Sequence, residues 1–531
     1  MASTPSTRAP AAAPRATPAR NPGRILILGA GPTGLGAGYR LKEIGYSNFL
    51  IVDRHPYAGG LAHSFTDSAG FTWDIGGHVM FSHYDYYDRV FDAMMGSDFT
   101  LNDRESWVRM CDRWIPYPFQ NNIRYLPPQV AYECLAGLVH AKLARETGAW
   151  PDGRPCRKPA QTDNFGEFID SIFGPGIAHH FMRPYNFKVW AHPPEMMNKE
   201  WIGERVAMID VDRALKNVVL GSDDFGWGPN NRFKFPLKGG TGAFYDRIAR
   251  HIGIAGPSNP TAHIQLNRRV VSIDADRRIA HFADGSTERY DTLISALPLD
   301  ILCRDILGPT IPDSIRHNAA RLRHSAGYMV GIGLKRPCPS TKSWMYFPEH
   351  NCPFYRATYL SNYSPHMTPD RARFYSLLCE TSQSDHKPVN PDTIIEDTIR
   401  GLENAALLAP RERDDIVTTW LYHADYSYPT PTVDRDSILS SVIPFLESRC
   451  IYSRGRFGMW KYEVSNTDHT LMQGVEVVNR LVQGEPETTI GIVYASTDDG
   501  RQAAAHERAP VAGSGEKRPA QVEPKPPAPC L

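Results

Sequence analysis

The chain has 531 residues, 41% apolar and 11% aromatic, which suits a globular protein of two or three cored domains. Its 58 basic and 58 acidic side chains balance, so nothing argues for nucleic acid or an anionic membrane surface as a partner. Nine dispersed cysteines without a CxxC pair, and no apolar run near the roughly 18 residues of a membrane span, argue against a disulfide scaffold, a zinc site or a spanning helix and for a reducing, cytoplasmic compartment.

Residues 1–23 contain no acid, and their five prolines oppose an amphipathic targeting helix, so they read as a flexible tail. From Arg24 the chain runs Ile-Leu-Ile-Leu, then Gly29-Ala-Gly31-Pro-Thr-Gly34, then a helical stretch, then Phe49-Leu-Ile-Val52 closed by Asp53. Strand, GxGxxG turn, helix and strand together are the context that a dinucleotide-binding βαβ unit requires. Gly29 permits the tight turn, Gly31 admits a pyrophosphate close to the backbone, and Gly34 lets the helix pack on the strand. The free N–H groups of the helix N-terminus meet the phosphates. Asp53 lies about twenty residues on, placed to bind a ribose hydroxyl.

Glycine pairs at Gly59-Gly60-Leu61 and Gly76-Gly77-His78 permit close backbone approach to a flat or extended ligand. Over 128–225 the period turns helical, with Asn164 and Glu167 as an N-terminal cap ahead of Phe168, Ile169, Ile172 and Phe173. Val270–Ile273 and Ile279–Phe282, turning at Asp284-Gly285, predict a meander, and Tyr290–Leu297 a further buried strand of the nucleotide-binding sheet. Met329–Leu334, Met345–Phe347, Ala357–Leu360 and Phe374–Cys379 predict a second sheet. No second GxGxxG follows a strand, so a nicotinamide cofactor would bind without a Rossmann domain of its own.

The expected fold is therefore α/β. A Rossmann-type nucleotide-binding domain covers 24–115, 235–310 and 445–485, a helical insertion domain covers 116–225, and a mostly antiparallel substrate domain covers 226–234 and 311–444. A second Pro/Ala-rich tail, mostly disordered, fills 486–531.

Motifs that mix aromatics with Arg, Asn and Gln recur along the chain: Tyr117-Pro-Phe119-Gln120, Arg183-Pro-Tyr185-Asn186 through Trp190, Gly203-Glu204-Arg205, Trp344-Met-Tyr346, Tyr355-Arg356, Tyr426-Ser-Tyr428 and Arg456 through Tyr462. An arginine fork matches phosphate oxygens, and Tyr and Trp offer flat faces with a donor at the rim. A nucleotide-sugar diphosphate would need this set. Any one motif taken alone reads better as aromatic core with a solvated arginine; the recurrence of so many in one chain favours the ligand reading. HExxH, GxSxG and Walker motifs are absent, and His179-His180 reads as helix surface or core, so no metal site is expected. With no strong protein nucleophile in view, the chemistry falls to a cofactor.

Taken in order, GAGPTGLGA, DIGGHVMFSH, WIPYPFQNN, FMRPYNFKVWA, GERVA, FPEHNCPFYRAT, YPTPT and SRGRFGMWKYEV resemble the eukaryotic UDP-galactopyranose mutases, a flavoprotein family, over roughly residues 24–485. The resemblance implies interconversion of UDP-galactopyranose and UDP-galactofuranose, which supplies galactofuranose for cell-surface glycoconjugates. Reduced FAD is the active form: its N5 attacks the anomeric carbon, UDP leaves, and the sugar recloses through a different hydroxyl. NADPH is the reductant, and members range from monomers to homo-oligomers.

Carried over by residue, the resemblance makes Arg205 and Arg356 the pyrophosphate clamp, and Tyr346, Tyr363, Tyr428 and Tyr462 hydroxyl donors on the phosphate side. Tyr117, Phe119, Gln120, Asn186 and Trp190 become the uridine pocket, and Asn230, Trp344 and Asn466 the sugar side. Gly29, Gly31, Gly34, Asp53, Gly60, Leu61, Gly77, Val270 and Asn466 would hold FAD. The His78 carbonyl would accept from the reduced N5–H, Arg456 would lie by the isoalloxazine, and His83 matches a second loop histidine. Arg104 and Ser106 would receive NADPH. Ser465 departs from a usual glycine, Gly226 from an asparagine in some members, and the stretch between Asn362 and Glu380 is shorter than in some.

Two other readings stay open. A flavin oxidase or desaturase of the amine-oxidase type would share the glycine motifs but needs no diphosphate clamp. A non-catalytic nucleotide-sugar sensor would not need His78, both arginines and the tyrosines together.

Overall fold

The structure is a computed structural model and describes residues 21–224, 231–256, 259, 262–496 and 502–506. The short apolar runs Ile25–Leu28, Phe49–Val52 and Thr292–Ser295 are buried along their whole length. Runs covered on both faces belong in parallel sheets. They do so here, in a five-stranded parallel sheet ordered Ile451–Ser453, Thr292–Ser295, Ile25–Leu28, Phe49–Val52, Ile264–Gln265. One core, with the helices Pro32–Glu43, Gly242–Ile252 and Thr467–Gln483, covers one face; the meander and the helices Asp313–Ala320 and Arg435–Ser448 cover the other. Gly29 turns at φ 102°. A Cβ on Gly34 would sit 1.9 Å from the Gly29 carbonyl oxygen, so only glycine lets the first helix lie this close to its strand.

The helical stretch contains Pro128–Thr147, Phe165–Ile177, Arg183–Trp190 and Val211–Leu220. The Glu167 N–H donates to Asn164 Oδ1 at 2.9 Å, which is the expected cap. Asp210 caps Val211–Leu220 in the same way through the Arg213 N–H. Phe168, Ile169, Ile172 and Phe173 are buried together in the core of this domain.

The second sheet has seven strands, ordered Ile416–Thr430, Arg323–Leu334, Tyr375–Gln383, Arg356–Tyr359, Trp344–Tyr346, Ser106–Met110, Arg113–Pro116. All its pairings are antiparallel except Trp344–Tyr346 on Ser106–Met110.

The structure differs from the sequence expectations in four places. Arg323–Leu334 is longer than the apolar run Met329–Leu334 suggested, and Ile416–Thr430 was not among the named runs, because its alternating polar residues pair along Arg323–Leu334. Ser106–Met110 and Arg113–Pro116, assigned above to the nucleotide-binding domain, belong to this second sheet, where Val108, Met110 and Ile115 join the helical domain's core. Asp313–Ala320 and most of Arg435–Ser448, assigned to the substrate domain, pack on the parallel sheet instead. In the second tail, Ile492–Ser496 pairs with Gln502–His506. These differences share a cause, since the partner of a strand edge or an apolar helix face is chosen in three dimensions.

The eight described cysteines are all free. Among the described residues, no helix is long and apolar enough to cross a membrane.

Candidate active site

A cavity of about 950 Å³ opens where the parallel strands end, lined by Leu28 and Gly29, Val52 and Asp53, and Ala296. Ligands of open α/β sheets bind in this crevice outside the carboxyl ends of the strands. The cavity reaches the second sheet at Trp344, Tyr346 and Arg356, and lies near the top of the usual range of roughly 300–1,000 Å³.

The nucleotide end is built from backbone. Gly31 caps the Pro32–Glu43 helix with no side-chain hydrogen bond, leaving first-turn N–H groups to a ligand. A Cβ on Gly60 would sit 3.2 Å from the Gly31 Cα, so the two glycine segments form a cradle that any side chain would fill. Asp53 is held by the Ala30 N–H at 2.7 Å and the His55 N–H at 2.8 Å, and its oxygens keep lone pairs for a ribose. Leu61, Gly77, His78 and Val270 line the same cavity. Gly34 supports it through packing alone.

Among the described residues, buried His78 Nδ1 has no hydrogen-bond partner. Burial, opposed by Glu380 and assisted by Arg456 and Arg356, lowers the imidazole pKa to about 4, so His78 is neutral at pH 7. Arg456 is a half-buried cation whose acceptors are all neutral: the Ser427 carbonyl takes Nε at 3.1 Å and Nη2 at 2.9 Å, while the Ser465 carbonyl and hydroxyl take Nη1 at 3.0 and 3.2 Å. Its charge therefore remains available to an anionic or electron-rich group in the cavity. Helix terminus, carboxylate, glycine cradle and neutral-bound arginine are a donor set that fits a flavin dinucleotide.

The far end is cationic and aromatic. Arg356 donates from Nε and Nη2 to Glu380 at 2.6 and 2.7 Å, and Glu380 also accepts from the Gly77 N–H at 3.1 Å and the Tyr355 hydroxyl at 3.0 Å. Burial would raise the Glu380 pKa, but Arg356 outweighs it and holds the carboxyl below the usual range. Tyr355 and Tyr428 hydroxyls meet at 3.3 Å. Arg205 donates from Nη1 to Asn466 Oδ1 and from Nη2 to the Glu463 carbonyl, both at 2.9 Å, and lies 4.5 Å over the Tyr462 ring. Trp344 Nε1 donates to the Tyr346 hydroxyl at 2.7 Å. The Arg104 guanidinium stands over Tyr117 at 4.8 Å and Trp344 at 5.0 Å, with Nε on Ser106 Oγ at 2.7 Å.

Thus Arg104, Arg205, Arg356, Arg456, Tyr117, Trp344, Tyr346, Tyr428, Tyr462 and Asn466 all line one cavity. The other expected contacts sit in the wall behind it. Phe119 stacks on Phe181 at 4.2 Å. Gln120 donates to the Ala207 carbonyl at 3.2 Å, and its buried Oε1 has no partner among the described residues. Asn186 donates to the Met182 carbonyl at 2.7 Å, and Trp190 packs edge-on to Tyr462. Tyr363 is buried beside Trp344 and Phe233, and Ser106 supports Arg104. Asn230 and Gly226 lie outside the described residues.

Glu380 was missed in the sequence, although a lone acid ending the apolar run Phe374–Cys379 is a readable signal. A second unforeseen group joins the glycine loop to the Thr467–Gln483 helix. Asp468 accepts from the His83 N–H at 3.1 Å, His83 Nδ1 at 2.7 Å and His469 Nδ1 at 3.1 Å. Burial favours the neutral acid, yet the imidazoles hold its pKa well below the usual range. These three residues bring possible metal-ligand atoms within 4.8 Å of one another, as hydrogen bonds alone would.

A parallel-sheet dinucleotide cradle facing an antiparallel sheet across one cavity defines a flavoprotein architecture. The chain belongs to the flavin-containing amine oxidoreductase family, whose pattern matches residues 32–457. It is similar to a crystal structure of reduced UDP-galactopyranose mutase, with 44% identity over 88% of this chain and 96% of that one and a TM-score of 0.81. A putative protoporphyrinogen oxidase from Exiguobacterium sp. 255-15 (14% identity, 86% and 98% of the two chains, TM-score 0.62) shares the fold. So does cyclohexylamine oxidase from Brevibacterium oxydans IH-35A (13% identity, 86% and 98%, TM-score 0.59).

Proposed function

We propose that this flavoprotein is a UDP-galactopyranose mutase, an isomerase that interconverts UDP-galactopyranose and UDP-galactofuranose, with reduced FAD as cofactor and NADPH as reductant. One observation carries the reading. Arg205 and Arg356, with Tyr346, Tyr428 and Tyr462, line the same cavity as the glycine cradle. A diphosphate needs such donors, whereas an amine substrate would be repelled by them. The similarity to a mutase at 44% identity supports the same reading.

Gly31, Gly60, Asp53 and Arg456 would hold the FAD, which when bound and reduced supplies the nucleophile that the protein lacks. The protein's own work is positional. Arg205 and Arg356 bind the pyrophosphate and offset the charge that builds on UDP as its bond to the sugar breaks. They also keep UDP in place for its return, which spares the entropy of a second encounter. Neutral His78 adds no charge beside the reacting centre, so the cationic field comes from the arginines.

The test is to incubate the dithionite-reduced, FAD-loaded protein with UDP-galactofuranose and separate the products by chromatography. UDP-galactopyranose should form. Turnover by fully oxidised protein, or none by reduced protein, would overturn the proposal.

A further inference from the structure

The segment Tyr462–Asn466 supplies the acceptors for two cavity arginines. Arg205 rests on the Glu463 carbonyl and Asn466 Oδ1, and Arg456 on the Ser465 carbonyl and hydroxyl. The Tyr462 ring lies beneath Arg205. A shift of this short turn therefore acts on both guanidinium groups, on Arg205 through both of its bonded nitrogens and on Arg456 through Nη1, while Arg456 Nε and Nη2 stay on the Ser427 carbonyl.

The turn is braced from within by Ser465 Oγ donating to the Tyr462 carbonyl at 3.0 Å and by Gln473 donating to the Val464 carbonyl at 2.8 Å. The Thr467–Gln483 helix also holds it through Thr470 Oγ1 on the Asn466 carbonyl at 3.0 Å, and the Glu463 carboxylate ties it to the Arg435–Ser448 helix. That carboxylate takes both prongs of Arg435, Nη1 at 2.8 Å and Nη2 at 3.0 Å, with Arg435 1% and Glu463 4% exposed. Neither residue lines the cavity.

Stability alone gives a poor account of this pair. Two buried charges lose much of their attraction to desolvation, and a well-packed apolar pair of similar size often serves as well or better. Arg435 is also the first residue of the Arg435–Ser448 helix, where the macrodipole disfavours a cation, and it already has a second carboxylate in the exposed Asp436, which takes Nε at 3.0 Å and Nη2 at 3.2 Å. A two-pronged arginine–carboxylate pair does offer fixed direction and distance.

We propose that Arg435 and Glu463 are a positioning pair that sets the Tyr462–Asn466 turn, and through it Arg205 and Arg456, for a nucleotide diphosphate; the inference rests on the function proposed above. The same physics that makes the pair a weak stabiliser supplies the test. The variant Arg435→Met/Glu463→Leu, made in the full FAD-loaded chain, removes both charges and keeps the bulk. Its unfolding midpoint, its Kd for UDP by calorimetry, and its kcat and KM are compared with wild type.

The expected result is a wild-type midpoint and flavin content, UDP binding weakened about tenfold or more, and kcat/KM lowered at least as far. UDP affinity and kcat/KM both within twofold of wild type would overturn the inference. If the double variant does not fold, Arg435→Lys takes its place under the same criteria, since it keeps the charge and loses the fork. Failure of wild-type protein to bind UDP would instead sink the functional reading, and the inference with it.

Discussion

Arg356 and Glu380 face each other across neighbouring strands of the second sheet, in direct register, and share two hydrogen bonds at 2.6 and 2.7 Å. The pair uses Nε and Nη2 of Arg356, and its carboxylate also holds the Gly77 N–H, so cationic end and glycine loop are tied through one side chain. Glu380→Gln should destabilise the protein by about 2–5 kcal/mol, because it leaves the half-buried Arg356 without its counter-charge. Denaturant unfolding measures the loss, and an unchanged midpoint would contradict the pairing. UDP affinity should fall as well, since Arg356 loses its fixed orientation.

Removing the arginines should act on turnover. Arg205→Ala and Arg356→Ala should each cost about 2–5 kcal/mol of transition-state stabilisation, read as kcat/KM of the reduced enzyme. Near-normal values in both variants would place the diphosphate elsewhere in the cavity.

Arg104 lies over the rings of Tyr117 and Trp344 at the far end from the glycine cradle. If it receives NADPH, Arg104→Ala should slow flavin reduction by NADPH and spare turnover driven by dithionite. Stopped-flow reduction and steady-state assays separate the two effects, and equal losses in both would remove the assignment.

Acid should weaken the protein through His78. Its folded-state pKa of about 4 lies below the ordinary histidine value of 6.5, so the folded protein resists a proton that the unfolded chain accepts. The contribution is complete above pH 6.5 and is lost as pH falls toward 4, to a limit of about 3 kcal/mol. His78→Gln should flatten this part of the stability–pH profile. A variant whose profile still parallels wild type would assign the acid sensitivity to another group.

The glycine turn offers a structural test. A methyl at Gly34 would meet the Gly29 carbonyl oxygen at 1.9 Å, so Gly34→Ala must separate helix from strand. That should cost about 1–3 kcal/mol and strip flavin from the purified protein. The ratio of flavin to protein absorbance reports it, and full retention of flavin would mean the helix can yield.

The parallel sheet, the cap at Asn164 and the glycine cradle were legible in the sequence because each depends on neighbours along the chain. A strand–turn–helix needs its residues in one order, and an N-cap needs its partner three residues on. The cationic residues were legible as types, through arginines set among tyrosines, though not as partners.

Their arrangement belongs to the tertiary structure. Glu380 meets Arg356 because two strands pair in one register, and Glu463 meets Arg435 across 28 residues of sequence. Ser106–Met110 joins the second sheet because that edge was open to it. Local sequence set the backbone surfaces that approach phosphates, since conformational freedom and hydrogen bonding act between neighbours. Long-range burial chose each charged partner, because a charge withdrawn from water must find its opposite wherever the fold brings it.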